Sequence, residues 1–320
     1  MNQYLSGIPR EFFWLFGSLV VLLGIASAVG ALLMRRPADE KKAAGRANLV
    51  ARTNAWWVMV GILAVAFFAG TVATLVLFAL ASFFALREFI TLTPSRPGDQ
   101  LSLSLAFFLV LPLQYLLIGL ERYGLFTIFM PVYAFLLLPA IAAMRSDVED
   151  FLSRMAKQQW GLMVIVYCLS HAPALLLLKL PGGHRTDLLL LFYLLLVVQM
   201  SDVMQYVFGK LFGKTKIAPL VSPSKTVEGF VGGGIAATLI GAAMWWITPF
   251  TPAGAAAISA VIVIMGFLGG LTLSAVKRSL GAKDWGVMIE GHGGMLDRMD
   301  SICFAAPIFF HVVRFFYVSN

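Results

Sequence analysis

Between residues 274 and 300 the sequence interleaves four cations (Lys277, Arg278, Lys283, Arg298), four acids (Asp284, Glu290, Asp297, Asp300) and His292. A loop that only had to set membrane topology would need the cations, not the acids among them. Asp297 and Asp300 stand three residues apart, so on a helix they share a face. Hard oxygen ligands of this kind suit Mg²⁺ holding a polyphosphate. Gly291, Gly293 and Gly294 permit a sharp turn and close approach of backbone N–H groups to an anion. Zinc does not fit: the histidines at 171, 184, 292 and 311 make no ligand-spaced pair with Cys168 or Cys303. The chemistry implied is that of phosphate groups.

A second polar stretch runs from 199 to 229. Gln199, Asp202, Tyr206 and Gly209 follow helical spacing and form one stripe. An Asp on an apolar helix is costly in lipid and is a functional candidate by default. Beyond it come Lys210, Lys214, Lys216, Ser222-Pro223, Lys225-Thr226 and Glu228. Gly209 and Gly213, followed by Lys214-Thr215, imitate a phosphate loop, but only three residues separate the glycines and no strand precedes them. This is not a P-loop.

The elements that must position these residues are membrane helices. Of 320 residues, 60% are hydrophobic and 12% charged, with a mean hydropathy of +0.87. No water-soluble interior can hide that much apolar surface. Segments long enough to cross are 12–34, 56–86, 103–120, 125–144, 160–180, 188–208, 230–247, 255–275 and 301–318. As one helix, 56–86 would be roughly 46 Å long, so a turn near Ala69-Gly70 into two helices of about 23 Å is the alternative. Charge decides between them. With two crossings, 19 of the 24 Lys/Arg fall in loops on one side, the cytoplasmic one.

The expected fold is therefore an all-α, polytopic integral membrane bundle of about nine to ten transmembrane helices, with both termini outside. Residues 12–34 read as an uncleaved span, because Arg35-Arg36 follow it directly. Trp56-Trp57, Trp160 and Trp245-Trp246 mark expected segment ends. Residues 1–55 read as an extra helix with a basic cytoplasmic linker, and 56–320 as the main domain with motif loops at 199–229 and 274–300. The two cysteines read as small core hydrophobes. The net charge of +8 reflects cytoplasmic loops and an anionic substrate rather than nucleic acid.

At Ser274, Lys277, Arg278, Lys283, Asp284, Gly286, His292, Gly293, Gly294, Asp297, Arg298 and Asp300 the sequence resembles the CDP-diacylglycerol synthase (phosphatidate cytidylyltransferase) family signature. The stretch with Asp202, Tyr206, Gly209, Gly213, Pro219, Ser222-Pro223, Lys225-Thr226 and Glu228-Gly229 looks like the same family. The resemblance implies a membrane enzyme of phospholipid biosynthesis that joins CTP to phosphatidate, releasing pyrophosphate and leaving CDP-diacylglycerol in the bilayer. It implies Mg²⁺ on Asp297, with Asp300 and Asp202 assisting. It implies Lys277, Arg278, Lys283 and Arg298 on phosphates, with Asp297 as the central catalytic residue. Ser222, Lys225, Thr226, Ser274, His292, Gly293 and Gly294 would bind substrate. Partners would be CTP, phosphatidate and the lipid bilayer, with a homodimer compatible and no nucleic acid. The bacterial inner membrane is the expected location, with the active face cytoplasmic.

Three positions depart from the pattern. Glu290 replaces Pro or Gly, Gln205 replaces Ala, and Gly270 stands where the family has an Asp that shares the metal. Gly270 motivates an alternative, a catalytically weak homologue with an accessory or lipid-binding role. A CTP-dependent lipid kinase is a further alternative. A transporter would instead concentrate polar groups and broken helices at the midplane.

Overall fold

Gly70 determines how the longest apolar run folds. The computed structural model describes residues 9–35, 39–180, 184–288 and 293–318. One helix ends at Ala69, Gly70 takes φ 99°, and the next helix begins at Thr71. Side chains disfavour that φ, whereas glycine adopts it freely. The run 56–86 is thus two helices, as the charge count requires. Neither is short, because each extends outward from the turn. The first begins at Glu40 and passes through most of the segment expected to be a linker. Lys, Arg, Glu and Ala are good helix formers, so charge alone did not stop it. Trp56 and Trp57 consequently lie inside a helix rather than at its end.

Ten helices are described: α1 (Arg10–Met34), α2 (Glu40–Ala69), α3 (Thr71–Leu92), α4 (Pro97–Gly119), α5 (Tyr123–Ala143), α6 (Phe151–Leu177), α7 (His184–Phe212), α8 (Val227–Ala243), α9 (Pro252–Ser279) and α10 (Leu296–Tyr317). Nine of them are long and apolar enough to cross a membrane, while α8, at 17 residues, is shorter. At 1.5 Å per residue α8 is about 26 Å long, close to the hydrocarbon thickness. Large apolar side chains such as Val65, Val72, Phe108, Leu136 and Phe315 stand exposed on the outer helix faces. Lipid, not water, is the solvent that tolerates such a surface. The protein is a helical membrane bundle.

The core is built around α7, whose residues Leu190, Leu191, Leu194 and Val197 are fully buried. Tyr193, also on α7, donates to the carbonyl of Ala255 at 3.1 Å and is hydrogen-bonded to Ser259 Oγ at 2.6 Å, tying α7 to α9. α8 packs against α7 almost backbone to backbone. A Cβ placed on Gly233 would lie 2.5 Å from Gln205 Cα, so only glycine fits there. Between α7 and α8 the chain forms a small antiparallel hairpin, β1 (Lys216–Ala218) and β2 (Ser222–Thr226), pairing Lys216 with Thr226 and Ala218 with Ser222. Thr226 then caps α8, its Oγ1 accepting from Gly229 N at 3.1 Å.

Candidate active site

The two motif stretches meet at one end of the bundle. Arg278, at the end of α9, donates from Nε to the Val221 carbonyl at 3.4 Å, linking the α9–α10 loop to the hairpin. The polar groups there divide into two halves.

The first half surrounds Asp297 in the opening turn of α10. Its Oδ1 pairs with Lys277 Nζ, and both side chains are largely buried. Its Oδ2 accepts from the backbone N–H groups of Trp285 and Gly294, each at 2.9 Å. Gly293 takes φ 83°, and a Cβ there would lie 2.7 Å from that same oxygen. Opposite stands Glu88 on α3, which accepts from Met295 N at 2.8 Å and Leu296 N at 2.9 Å. Glu88 therefore satisfies donors at the start of α10 that would otherwise be orphaned. A Cβ on Gly286 would lie 2.7 Å from its Oε1, and one on Gly294 would collide with its carboxylate. Trp285, buried, packs against Phe89 of α3 with ring centroids 5.6 Å apart. The glycines of the motif are small because Glu88 and Asp297 fill the space beside them.

The second half surrounds Asp300 and Asp202. Ser301 on α10 donates from Oγ to Asp202 of α7, 3.1 Å from Oδ2, and its N–H donates to Asp300 Oδ1 at 2.7 Å. Two carboxylates are thus gathered around one serine. Lys225 reaches in from β2. Its Nζ donates to the Phe267 carbonyl at 3.4 Å and lies 4.6 Å from the Phe267 ring centroid. Burial lowers the pKa of this ammonium, and the charges of Asp300 and Asp202 oppose that effect. A Cβ on Gly270 would lie 2.9 Å from Lys225 Nζ, 3.5 Å from Asp300 Oδ2 and 3.6 Å from Ser301 Oγ. Position 270 therefore faces Asp300 and Lys225, and Asp297 is not among its nearest neighbours. A cavity of about 290 Å³ opens beside this cluster, lined among others by Asp202, Tyr206, Gly209, Lys210 and Lys225.

Asp297 and Asp300 do share a helix, but their partners diverge. Among the described residues, no three His, Cys, Asp or Glu side chains cluster as a metal site. Both oxygens of Asp297 are engaged by Lys277 and backbone donors. Asp202 and Asp300 form the acid pair, which fits Mg²⁺ bound in its usual way through one or two carboxylates together with substrate phosphates.

The other sequence candidates divide between this cavity and structural positions. Of the α7 stripe, Asp202, Tyr206 and Gly209 line the cavity, whereas Gln199 faces a groove between α2, α3, α7 and α10. Arg298 lines that groove too, and its Nε is buried with no hydrogen-bond partner among the described residues. Lys283 is exposed in the α9–α10 loop. Ser274 spends its hydroxyl on the Gly270 carbonyl at 2.6 Å, and Thr226, which also lines the cavity, spends its own on the α8 cap. Ser222 pairs within the hairpin. His292 lies outside the described residues. Glu88 escaped sequence reasoning because its partners are more than 200 positions away. Its one signal is a carboxylate at the end of an apolar run, beside Phe89 and Ile90.

The cytidylyltransferase family profile matches residues 50–316. The chain belongs to the cytidylyltransferase family. A relative of Escherichia coli (strain K12), the uncharacterized protein YnbB, is 37% identical over 302 residues, which span 93% of this chain and 97% of that one. The phosphatidate cytidylyltransferase of Staphylococcus haemolyticus (strain JCSC1435) is 41% identical over 118 residues, 36% of this chain and 45% of that protein. That of Staphylococcus saprophyticus is 44% identical over 115 residues, 35% and 44% of the two chains. The similarity to these two named enzymes thus spans less than half of their length. The profile begins within α2, so α1 and the start of α2 lie outside the family match.

Proposed function

We propose that this cytidylyltransferase transfers the cytidylyl group of CTP to phosphatidate. A phosphatidate phosphate oxygen attacks the α-phosphorus of CTP, the bond to the β-phosphate breaks, and pyrophosphate leaves. The nucleophile is already an oxyanion and needs no strong base. What the site must supply is neutralisation and alignment of two anions. Lys225, Arg278 and Lys283 are the cations best placed for the triphosphate, around the cavity and loop described above. Asp202 and Asp300 would hold Mg²⁺, which would supply further charge neutralisation. Asp297 holds Lys277 and the α9–α10 loop in position.

The observation that carries this reading is the adjacency of two unlike spaces at one bundle end. The cavity beside Asp202 is polar. The groove lined by Trp56, Met59, Leu63, Phe78 and Met299 is almost wholly apolar, and Arg298 stands in it with a buried nitrogen that has no hydrogen-bond partner among the described residues. An unpaired buried donor is costly, and a lipid phosphate would satisfy it while an acyl chain filled the groove. In this reading the end carrying both spaces faces the cytoplasm of a bacterial inner membrane, where CTP is available and the positive-inside rule puts the basic loops.

The test is purified protein with phosphatidate and CTP labelled in the cytidine, with and without Mg²⁺. Labelled CDP-diacylglycerol with one pyrophosphate per turnover is expected. Labelled CDP with a phosphorylated lipid would instead identify a lipid kinase. Gly270, which leaves Asp202 and Asp300 as the acids of the cluster among the described residues, favours a second reading, an accessory homologue. Binding of CTP and phosphatidate without turnover at any Mg²⁺ concentration would establish it.

A further inference from the structure

The far end of the bundle carries a second polar cavity. From Asp297 to Arg314 along α10 is about 25 Å at 1.5 Å per residue, so the two residues mark opposite membrane faces. Around Arg314 the ends of α4, α6 and α10 and the start of α5 enclose a cavity of about 440 Å³. Its walls include Leu117, Ile118, Phe126, Leu177 and Phe310, and its rim carries Glu121, Arg122, Lys179 and Arg314.

This gathering of charge is not what topology produces. Only five of the 24 Lys/Arg lie outside the basic loops, at positions 10, 122, 179, 185 and 314. Three of those five line this one cavity. Helix dipoles explain part of it, since Arg314 lies in the last turn of α10 and Lys179 follows α6, where cations are favoured. Arg122 has no such reason. It is the N-cap of α5, where the dipole disfavours a cation and favours an anion.

The charges are also unbalanced. Glu121 pairs with Lys179 at 3.4 Å. Arg314 lies over the Tyr123 ring, 3.4 Å from its centroid. Among the described residues neither Arg122 nor Arg314 has a carboxylate partner. Two guanidinium groups above apolar walls match a phosphate carried on a hydrophobic body, because planar N–H forks suit phosphate oxygens.

We propose that this cavity binds the phosphate of an anionic phospholipid from the leaflet opposite the candidate active site. Arg122 and Arg314 hold the headgroup, and Phe126, Leu177 and Phe310 receive the apolar part. The site is independent of nucleotide chemistry.

The test uses the full-length protein in neutral detergent, titrated with dioctanoyl phosphatidylglycerol, dioctanoyl phosphatidylcholine or inorganic phosphate, with thermal unfolding as readout. Phosphatidylglycerol should protect the native protein, and Arg122→Gln with Arg314→Gln should weaken that protection at least tenfold in half-saturating concentration. Arg122→Gln alone, at an exposed position, should give a smaller loss in the same direction and covers failure of the double variant to fold. If inorganic phosphate protects equally and with the same arginine dependence, the phosphate chemistry stands but its source is a soluble anion. Equal protection by phosphatidylcholine, or protection unchanged in both variants, overturns the proposal.

Discussion

Asp297 and Asp300 are one helical turn apart, and their surroundings differ in kind. Asp297, with Glu88 across from it, accepts backbone N–H groups and an ammonium until each oxygen is used. Asp300, with Asp202 across from it, shares a serine with a second acid and has a lysine close by. A carboxylate whose oxygens are all engaged shapes a loop, while two acids crowded together repel one another unless a cation lies between or beside them. Residues one helical turn apart therefore sit in two environments, a fully hydrogen-bonded carboxylate in one half of the site and a pair of acids in the other.

The sharpest way to break this comparison is Asp300→Asn. The amide oxygen can still accept from Ser301 N, so the fold should hold while the charge is lost. Turnover of labelled CTP should fall by roughly a thousandfold, the scale of losing a major electrostatic contribution, with unfolding temperature little changed. Asp202→Asn should behave alike. Retained turnover in either variant would move the chemistry elsewhere.

Asp297→Asn should show the opposite balance. It leaves Lys277 buried without its counter-ion, at a cost of about 3 kcal/mol. The expected result is a lower unfolding temperature and faster proteolysis or hydrogen exchange in residues 280–288, with a loss of activity that follows the structural change. Native stability combined with abolished turnover would instead make Asp297 a direct participant.

Glu88→Gln should be milder. One amide oxygen replaces two carboxylate oxygens, so one of two backbone donors loses its partner, worth about 1–3 kcal/mol. Thermal unfolding should register this, and KM for CTP should rise as the α9–α10 loop loosens. An unaltered unfolding temperature would show that the α10 start does not depend on α3.

Gly270→Asp should have the smallest effect on the fold and the most informative effect on metal dependence. Its carboxylate would enter beside Lys225 Nζ and Asp300. The Mg²⁺ concentration for half-maximal activity should fall by roughly threefold to tenfold, since affinity follows the number of charged ligands. No change would mean that Lys225 neutralises the added acid.

The charge count and the apolar runs determined much of this protein. They required helices, required two across 56–86, and located the turn at Ala69-Gly70, because glycine alone suits the backbone there. The α7 stripe pointed to Asp202, Tyr206 and Gly209, which line one cavity. These are properties of local geometry and of burial in lipid, and a sequence carries both. Helix length in α2 was not legible, because charged helix formers look like a linker when only hydropathy is read.

The sorting of the site was decided by tertiary structure. Nothing in the spacing of Asp297 and Asp300 separates a carboxylate that ties down a loop from one that faces another acid. Glu88 needed the return of the chain more than 200 residues later to find the N–H groups it caps. Gly270 needed Lys225 from the hairpin to define what its missing side chain would meet. A carboxylate's role depends on which donors and charges lie within about 3 Å of it, and for these residues that neighbourhood is assembled from α3, α7, α9, α10 and the hairpin together.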